Sequence, residues 1–209
     1  MPSKNGHMSN GVPRGRLRIY LGAAPGVGKT YAMLGEGRRR SERGTDVVVA
    51  LAESHGRPPV EELLHGLARV PTRLVGGTEE VDVAAVVARR PQVALVDDLA
   101  HSNAAGSANA KRWEDIAELL DAGIDVVTTV NIEHLESLAD VVESITGVAQ
   151  RDAVPDHVVR QADQIELVDM TPEALRRRMA HGNVYPAERV DAALSHYFRV
   201  GNLAALREL

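Results

Sequence analysis

The stretch Leu21-Gly22-Ala23-Ala24-Pro25-Gly26-Val27-Gly28-Lys29-Thr30 decides how this chain reads. From Ala23 to Thr30 it matches the phosphate-binding loop, with Ala23 in the first glycine position. The residue types suit a polyphosphate. Glycines let backbone N–H groups converge on phosphate oxygens with no Cβ in the way. A helix beginning at the loop adds its free amides and the positive end of its dipole. Lys29 is expected to reach the β- and γ-phosphates from an exposed loop, and the Thr30 hydroxyl to ligate magnesium. The plain alternative is a glycine-rich turn that only joins a strand to its helix. Context favours the loop: an alternating strand, Arg16 to Leu21, precedes it, and a helix from Gly28 to about Arg43 follows.

Working outward, apolar runs alternate with helical patterns. Val47 to Leu51 and Val93 to Val96 have no polar side chain, as buried parallel strands require. Asp125–Val130 and Asp163–Val168 read as further strands, and Arg73-Leu74-Val75 as a short one. Helices are expected over 59–68, 82–90, 111–122 and 132–145, and from a capped start at Thr171-Pro172-Glu173. The segment 186–209 reads as helical with a break at Gly201. Residues 1–15, polar and without periodicity, read as a disordered leader. The expected fold is α/β: a three-layer, P-loop NTPase-like arrangement, mostly parallel sheet with helices on both faces and a helical C-terminal end, one domain over 16–209.

Composition narrows the function. The chain has 209 residues, a net charge of −5 and 3% aromatics. A net negative charge and few stacking rings argue against nucleic acid as a partner, so no direct nucleic-acid binding is expected. There is no cysteine, which excludes disulfides and thiolate chemistry and fits a cytoplasmic setting. No apolar run approaches the roughly 18 residues of a membrane helix.

Asp97 closes the strand Val93–Val96 and points off the sheet's carboxyl edge, where ligands of open α/β sheets lie. It is the second candidate magnesium ligand beside Thr30; the alternative is an acid capping a local turn. Asp98 is the candidate to orient an attacking water. Arg57 follows the strand Val47–Leu51 and is placed to sense a γ-phosphate in cis, or else to lie in water. His101 and Asn103 either report the γ-phosphate or make a local hydrogen-bonded turn. His134 reads as structural and Trp113 as a core anchor. The basic runs Arg38-Arg39-Arg40 and Arg176-Arg177-Arg178 read as solvated helix faces.

Several ordered blocks resemble one family. Gly22 to Leu34 (GAAPGVGKTYAML), Glu53 to Arg57 (ESHGR), Leu95 to Asn103 (LVDDLAHSN), Lys111 to Asp115 (KRWED), Asn131 to Leu138 (NIEHLESL) and Phe198 to Leu209 are similar to the N-terminal cytoplasmic domain of the KdpD potassium-responsive sensor histidine kinases. The resemblance implies an ATP-binding regulatory domain of a two-component potassium and osmotic response. ATP and Mg2+ would be its cofactors. Nucleotide contacts would run through Gly22, Ala23, Ala24, Pro25, Gly26, Val27, Gly28, Lys29, Thr30 and Tyr31, with Arg57 and His101. Implied partners are the other domains of a sensor kinase or a cognate response regulator. Members of the family continue into a universal-stress-like domain, four membrane helices anchored in the plasma membrane, and a kinase core. None of these is visible here, so histidine kinase activity is not carried over. The chain stops inside a helical pattern, as an excised domain or a short homologue would. One residue departs from the family, which commonly has Glu where Asp98 stands. Asp is one methylene shorter, about 1.5 Å along an extended chain, and a misplacement of that size costs on the order of a hundredfold in rate. Tight ATP binding with at most slow hydrolysis is therefore expected. A self-sufficient P-loop ATPase or small-molecule kinase is the alternative, with the loop Ser102 to Ala110 as its lid.

Overall fold

The sheet is built from runs that need no solvated face. In the computed structural model, which describes residues 13–180, 190 and 193–209, every residue of β2 (Val47–Leu51) is buried, as is every residue of the strand Val93–Val96. In chain order the strands are β1 (Leu17–Gly22), β2, β3 (Ala68–Arg69), β4 (Arg73–Val75), β5 (Thr78–Glu80), β6 (Val93–Val96), β7 (Asp125–Asn131) and β8 (Gln164–Val168). Six of them form one sheet in the order β3-β2-β6-β7-β1-β8. Every pairing in it is parallel. β4 and β5 stand apart as an antiparallel hairpin. Its turn, Gly76-Gly77, has φ of 57° and 89°, the two left-handed residues that a tight hairpin needs.

Helices cover both faces. α1 (Lys29–Glu42) and α2 (Pro58–His65) lie on one, where Met33, Leu34, Val60 and Leu64 pack on Val47, Val49 and Leu95. α3 (Val83–Arg89) and α4 (Arg112–Asp121) lie on the other, where Val86, Ile116, Leu119 and Leu120 meet Val48, Ala50, Ala94 and Val96. Successive strand residues thus feed opposite cores, the period of two that a strand imposes. Each fully buried Leu or Ile contributes roughly 1.5–3 kcal/mol. The three on α4, all below 2% exposed, therefore outweigh the exposed Arg14–Asp121 ion pair beside them. α5 (Ala139–Thr146), α6 (Asp156–Arg160), α7 (Pro172–Ala180) and a C-terminal helix (Val200–Glu208) follow among the described residues, with helical residues also at 193–195. None of these helices is long and apolar enough to cross a membrane.

Local expectations fail where backbone pairing or a cap intervenes. The helix expected over 59–68 stops at His65, capped by Gly66, and Ala68–Arg69 pairs with β2 instead. The long helix expected over 132–145 is two short 3-10 turns followed by α5. Leu135 is extended there and bridges Val154. Val154 N–H donates to the His134 carbonyl at 2.7 Å and Glu136 N–H to the Val154 carbonyl at 3.1 Å, so these groups cannot close a helix. The C-terminal helix runs unbroken through Gly201, and the chain turns before it at the extended Arg199. Residues 186–189 and 191–192 of that expected helical end lie outside the described residues, as do 1–12 of the leader. Order begins ahead of Arg16: Gly15 N–H donates to the Leu120 carbonyl at 2.8 Å. Trp113 is half-buried, edge-on to His157 with ring centroids 6.2 Å apart.

Two glycines of α1 separate packing from propensity. A Cβ on Gly37 would lie 2.4 Å from Leu95 Cδ1, whereas one on Gly35 would meet only the flexible Arg39 guanidinium at 3.4 Å. Gly37→Val is expected to lower stability by about 1–3 kcal/mol through overpacking. Gly35→Ala is expected to raise it by about 0.5–1 kcal/mol through helix propensity. Urea unfolding of the two variants measures both.

Candidate functional site

The carboxyl ends of β1, β2, β6 and β7 lie side by side. Here the crossovers diverge: the chain leaves β1 toward β2 on one side, and passes from β7 across β1 to β8 on the other. Open parallel sheets take ligands at such a switch point. β1 ends at Gly22, where a Cβ would come within 2.7 Å of Val27 Cγ2 and 2.9 Å of Lys29 Cδ. The loop therefore folds back on itself only because that residue is glycine. Gly26 and Gly28 have φ of 89° and 109°, conformations glycine takes without penalty. Ala23 is buried against Ile132, Val142 and Leu206, while Ala24 and Val27 pack on Leu175 and Met179. These residues shape the loop, and its mouth is bordered by Pro25, Gly26 and Gly28.

Lys29, Thr30, Arg57, Asp97 and Asp98 converge on a cleft of about 210 Å³. Five of the residues singled out in the sequence thus meet, though they come from three separate segments. Asp97 is buried, its two oxygens taken by the Thr30 hydroxyl at 2.8 Å and the Thr129 hydroxyl at 2.5 Å. Burial raises its pKa above the usual carboxylate range, against the pull of those two hydroxyls and of Lys29. Lys29 is not exposed as expected. Its ammonium is sunk beside the Ala24 carbonyl, 3.4 Å away, and donates to the Asn131 side-chain oxygen. Burial pushes its pKa down to about 8, although Asp97, Glu133 and Asp98 pull it up. Acid and base are both driven toward neutrality. A phosphate would favour the charged form of Lys29 and a divalent cation that of Asp97.

Asp98 is exposed at the cleft with φ 59°, and its backbone N–H donates to Thr129 at 3.0 Å. Among non-glycine residues Asp is one of the few at home in that conformation. Arg57 borders the same cleft, and its Nε is buried without a hydrogen-bond partner. Burial, then the nearby positive charge of Arg178, lowers its pKa. Arg178 was read as part of a solvated run. Instead its NH1 group stands 3.6 Å from where a Cβ on Gly28 would be. Its neighbour Arg176 donates to the carbonyls of Leu194, at 3.0 Å, and Phe198.

Two expected contacts stand away from the cleft. Tyr31 is half-exposed and His101 points elsewhere. His101 Nε2 is 3.1 Å from Glu80, a buried carboxylate that also meets Arg112 at 3.0 Å and the Ala104 N–H at 2.7 Å. Arg112 in turn donates to the Asp97 carbonyl at 3.2 Å. His101 is thus linked to the cleft through Arg112 and the backbone of Asp97. Asn103 donates to the Asn109 carbonyl at 3.1 Å and to Asp115 at 2.7 Å. His134 meets the Asp152 carbonyl at 2.9 Å and also borders the cleft. Thr129 and Asn131 went unread in the sequence. Their signal was the polar ending of an otherwise apolar strand, Thr128-Thr129-Val130-Asn131.

Residues 13–209 match the sequence model of the family described as "KdpD: Osmosensitive K+ channel His kinase sensor domain". The chain belongs to this family. Its KdpD relatives include the sensor protein KdpD of Mycobacterium tuberculosis (strain ATCC 25618 / H37Rv), 66% identical over 94% of this chain and 23% of that protein. The sensor protein KdpD of Escherichia coli (strain K12) is 50% identical over 94% of this chain and 22% of its own length. That of Rathayibacter rathayi is 54% identical over 92% of this chain and 23% of its own. The chain therefore spans less than a quarter of the length of these KdpD relatives.

The displaced Lys29 pKa gives a test on the ligand-free protein. Its folded value, about 8, lies below the ordinary 10.5, so between the two the unfolded chain binds more protons. The contribution of Lys29 to stability is present above 10.5 and lost as pH falls through 8. Lys29→Met is expected to be more stable than the parent at pH 7, by up to about 3 kcal/mol. The gap should narrow as pH rises from 8 to 10, as followed by urea unfolding at each pH.

Proposed function

We infer that this chain is an ATP-binding regulatory domain of a KdpD-type sensor kinase. The buried charges of the cleft, with no ion pair between Lys29 and Asp97, carry the reading: Lys29 and the orphaned Arg57 Nε on one side, Asp97 with Thr30 on the other. Two cations and a glycine-rich loop suit the oxygens of a phosphate chain. A hydroxyl beside a carboxylate suits Mg2+, a hard cation that takes oxygen ligands. Thr30 and Asp97 would hold the magnesium, which supplies charge neutralisation at the terminal phosphates. Lys29 would exchange its bond to Asn131 for the phosphate chain. Arg57 would gain the partner its Nε lacks.

Hydrolysis is at most slow in this reading. Asp98, the residue that would orient water, carries its carboxylate on the shorter of the two acidic side chains. Membership in a sensor-kinase family supports a regulatory role in the potassium and osmotic response, with the remaining domains of such a kinase, or its response regulator, as receivers. A ligand moves such a receiver only as far as it prefers one conformation over another. The second reading, a self-sufficient ATPase, keeps its place because Asp98 does border the cleft.

Calorimetric titration with MgATP tests the binding. Lys29→Ala is expected to lose affinity by about tenfold to a hundredfold; equal affinity in variant and parent would discard both readings. Single-turnover hydrolysis separates them. Asp98→Glu is expected to raise the rate by about tenfold or more, and a parent that already releases phosphate at tens of turnovers per second is an ATPase.

A further inference from the structure

α7 is amphipathic in a way that aims one arginine at the loop. Leu175 and Met179 are buried against Ala24, Val27, Phe198 and Leu203. That contact fixes the helix on the back of the glycine-rich loop. Arg178 precedes Met179 and so projects from the neighbouring flank, where its NH1 hangs over Gly28. No hydrogen bond or ion pair among the described residues holds that guanidinium.

Arg57 reaches the cleft from the loop between β2 and α2. The two guanidiniums are close enough for their charges to oppose each other, and Asp97 is the acid that offsets Arg57. Lys29 adds a third cation below them. Like charges gathered around one buried carboxylate cost energy unless an anion with several charges sits among them. Arginine suits that anion, because its fork offers paired N–H groups to phosphate oxygens.

We propose that Arg178 is a phosphate-chain ligand, set opposite Arg57, and that through it nucleotide occupancy tightens the docking of α7 and the C-terminal helix on the loop. This rests on the ATP-binding reading above and deepens it. α7 packs on the C-terminal helix through Leu175, Met179 and Leu203, so a phosphate drawn to Arg178 pulls on both. Linkage makes the effect reciprocal: whatever factor Arg178 adds to nucleotide affinity, bound nucleotide returns as firmer docking of α7. The phosphate loop would then report its occupancy along the C-terminal helices.

The test uses the whole chain and four proteins: parent, Lys29→Ala, Arg178→Gln and Arg178→Lys. Binding of MgATP and of inorganic tripolyphosphate is measured by calorimetry. Arg178→Gln is expected to weaken both ligands by a similar factor, about tenfold or more, with Arg178→Lys in between. Without ligand its melting temperature should equal or exceed the parent's, since one of the crowded like charges is gone. Hydrogen exchange over 172–180 and 200–208 should slow on adding MgATP to the parent and change little in Arg178→Gln. Unchanged affinity in Arg178→Gln, or weakening for MgATP alone with tripolyphosphate unaffected, overturns the proposal. Should Arg178→Gln fail to fold, Arg178→Lys carries the same comparison. A parent that binds no MgATP refutes the earlier reading instead. A parent that binds, with Lys29→Ala impaired and Arg178→Gln normal, refutes only this one.

Discussion

The Asp97 carboxylate ties the molecule together at its working end. One oxygen takes the hydroxyl at the start of α1 and the other that of β7, while the residue itself ends β6. Three elements far apart in sequence are thereby held in one register. The arrangement is costly, because a carboxylate out of water favours its protonated form. The cost falls where compensation can come from outside the chain. Lys29 is in the same position with opposite sign, sunk beside carbonyl and amide oxygens with no carboxylate bonded to it. A fold optimised for stability alone would fill this corner with apolar side chains.

Around that corner the chain divides its labour. The two apolar cores supply rigidity and contain none of the chemistry. The polar side chains lie on loops and strand ends, where a packed scaffold can aim them. Gly22 shows how tightly the two are joined. Val27 and Lys29 occupy the space a side chain on Gly22 would need, so the loop can hold the lysine there only over a glycine.

Much of this was legible in the sequence because the signals are local. The glycine loop with Lys29 and Thr30 follows one strand pattern and the Asp97-Asp98 pair another, and a parallel sheet must bring such ends to one edge. Arg178 was illegible for the opposite reason. Its role depends on α7 packing against Ala24 and Val27, a contact across about 150 residues that no periodicity reports. The segment 132–145 misled because its apolar spacing suits a helix, while its backbone is committed to Val154. Asn131 and Thr129 were visible as letters, but nothing local separates a polar strand end that faces a site from one that faces water.

β1 sits between β7 and β8, so its partners arrive late. Arg16 N–H meets Asp125 across 109 residues and Leu17 N–H meets Asp163 across 146. At ribosomal speeds of about 5–20 residues per second, the first strand emerges several seconds or more before either neighbour exists. Until then its apolar side chains and open amides have no native sheet to join. The glycine-rich loop, made more than 130 residues ahead of Asp163, has to wait for that stretch before β1 beneath it is paired on both sides.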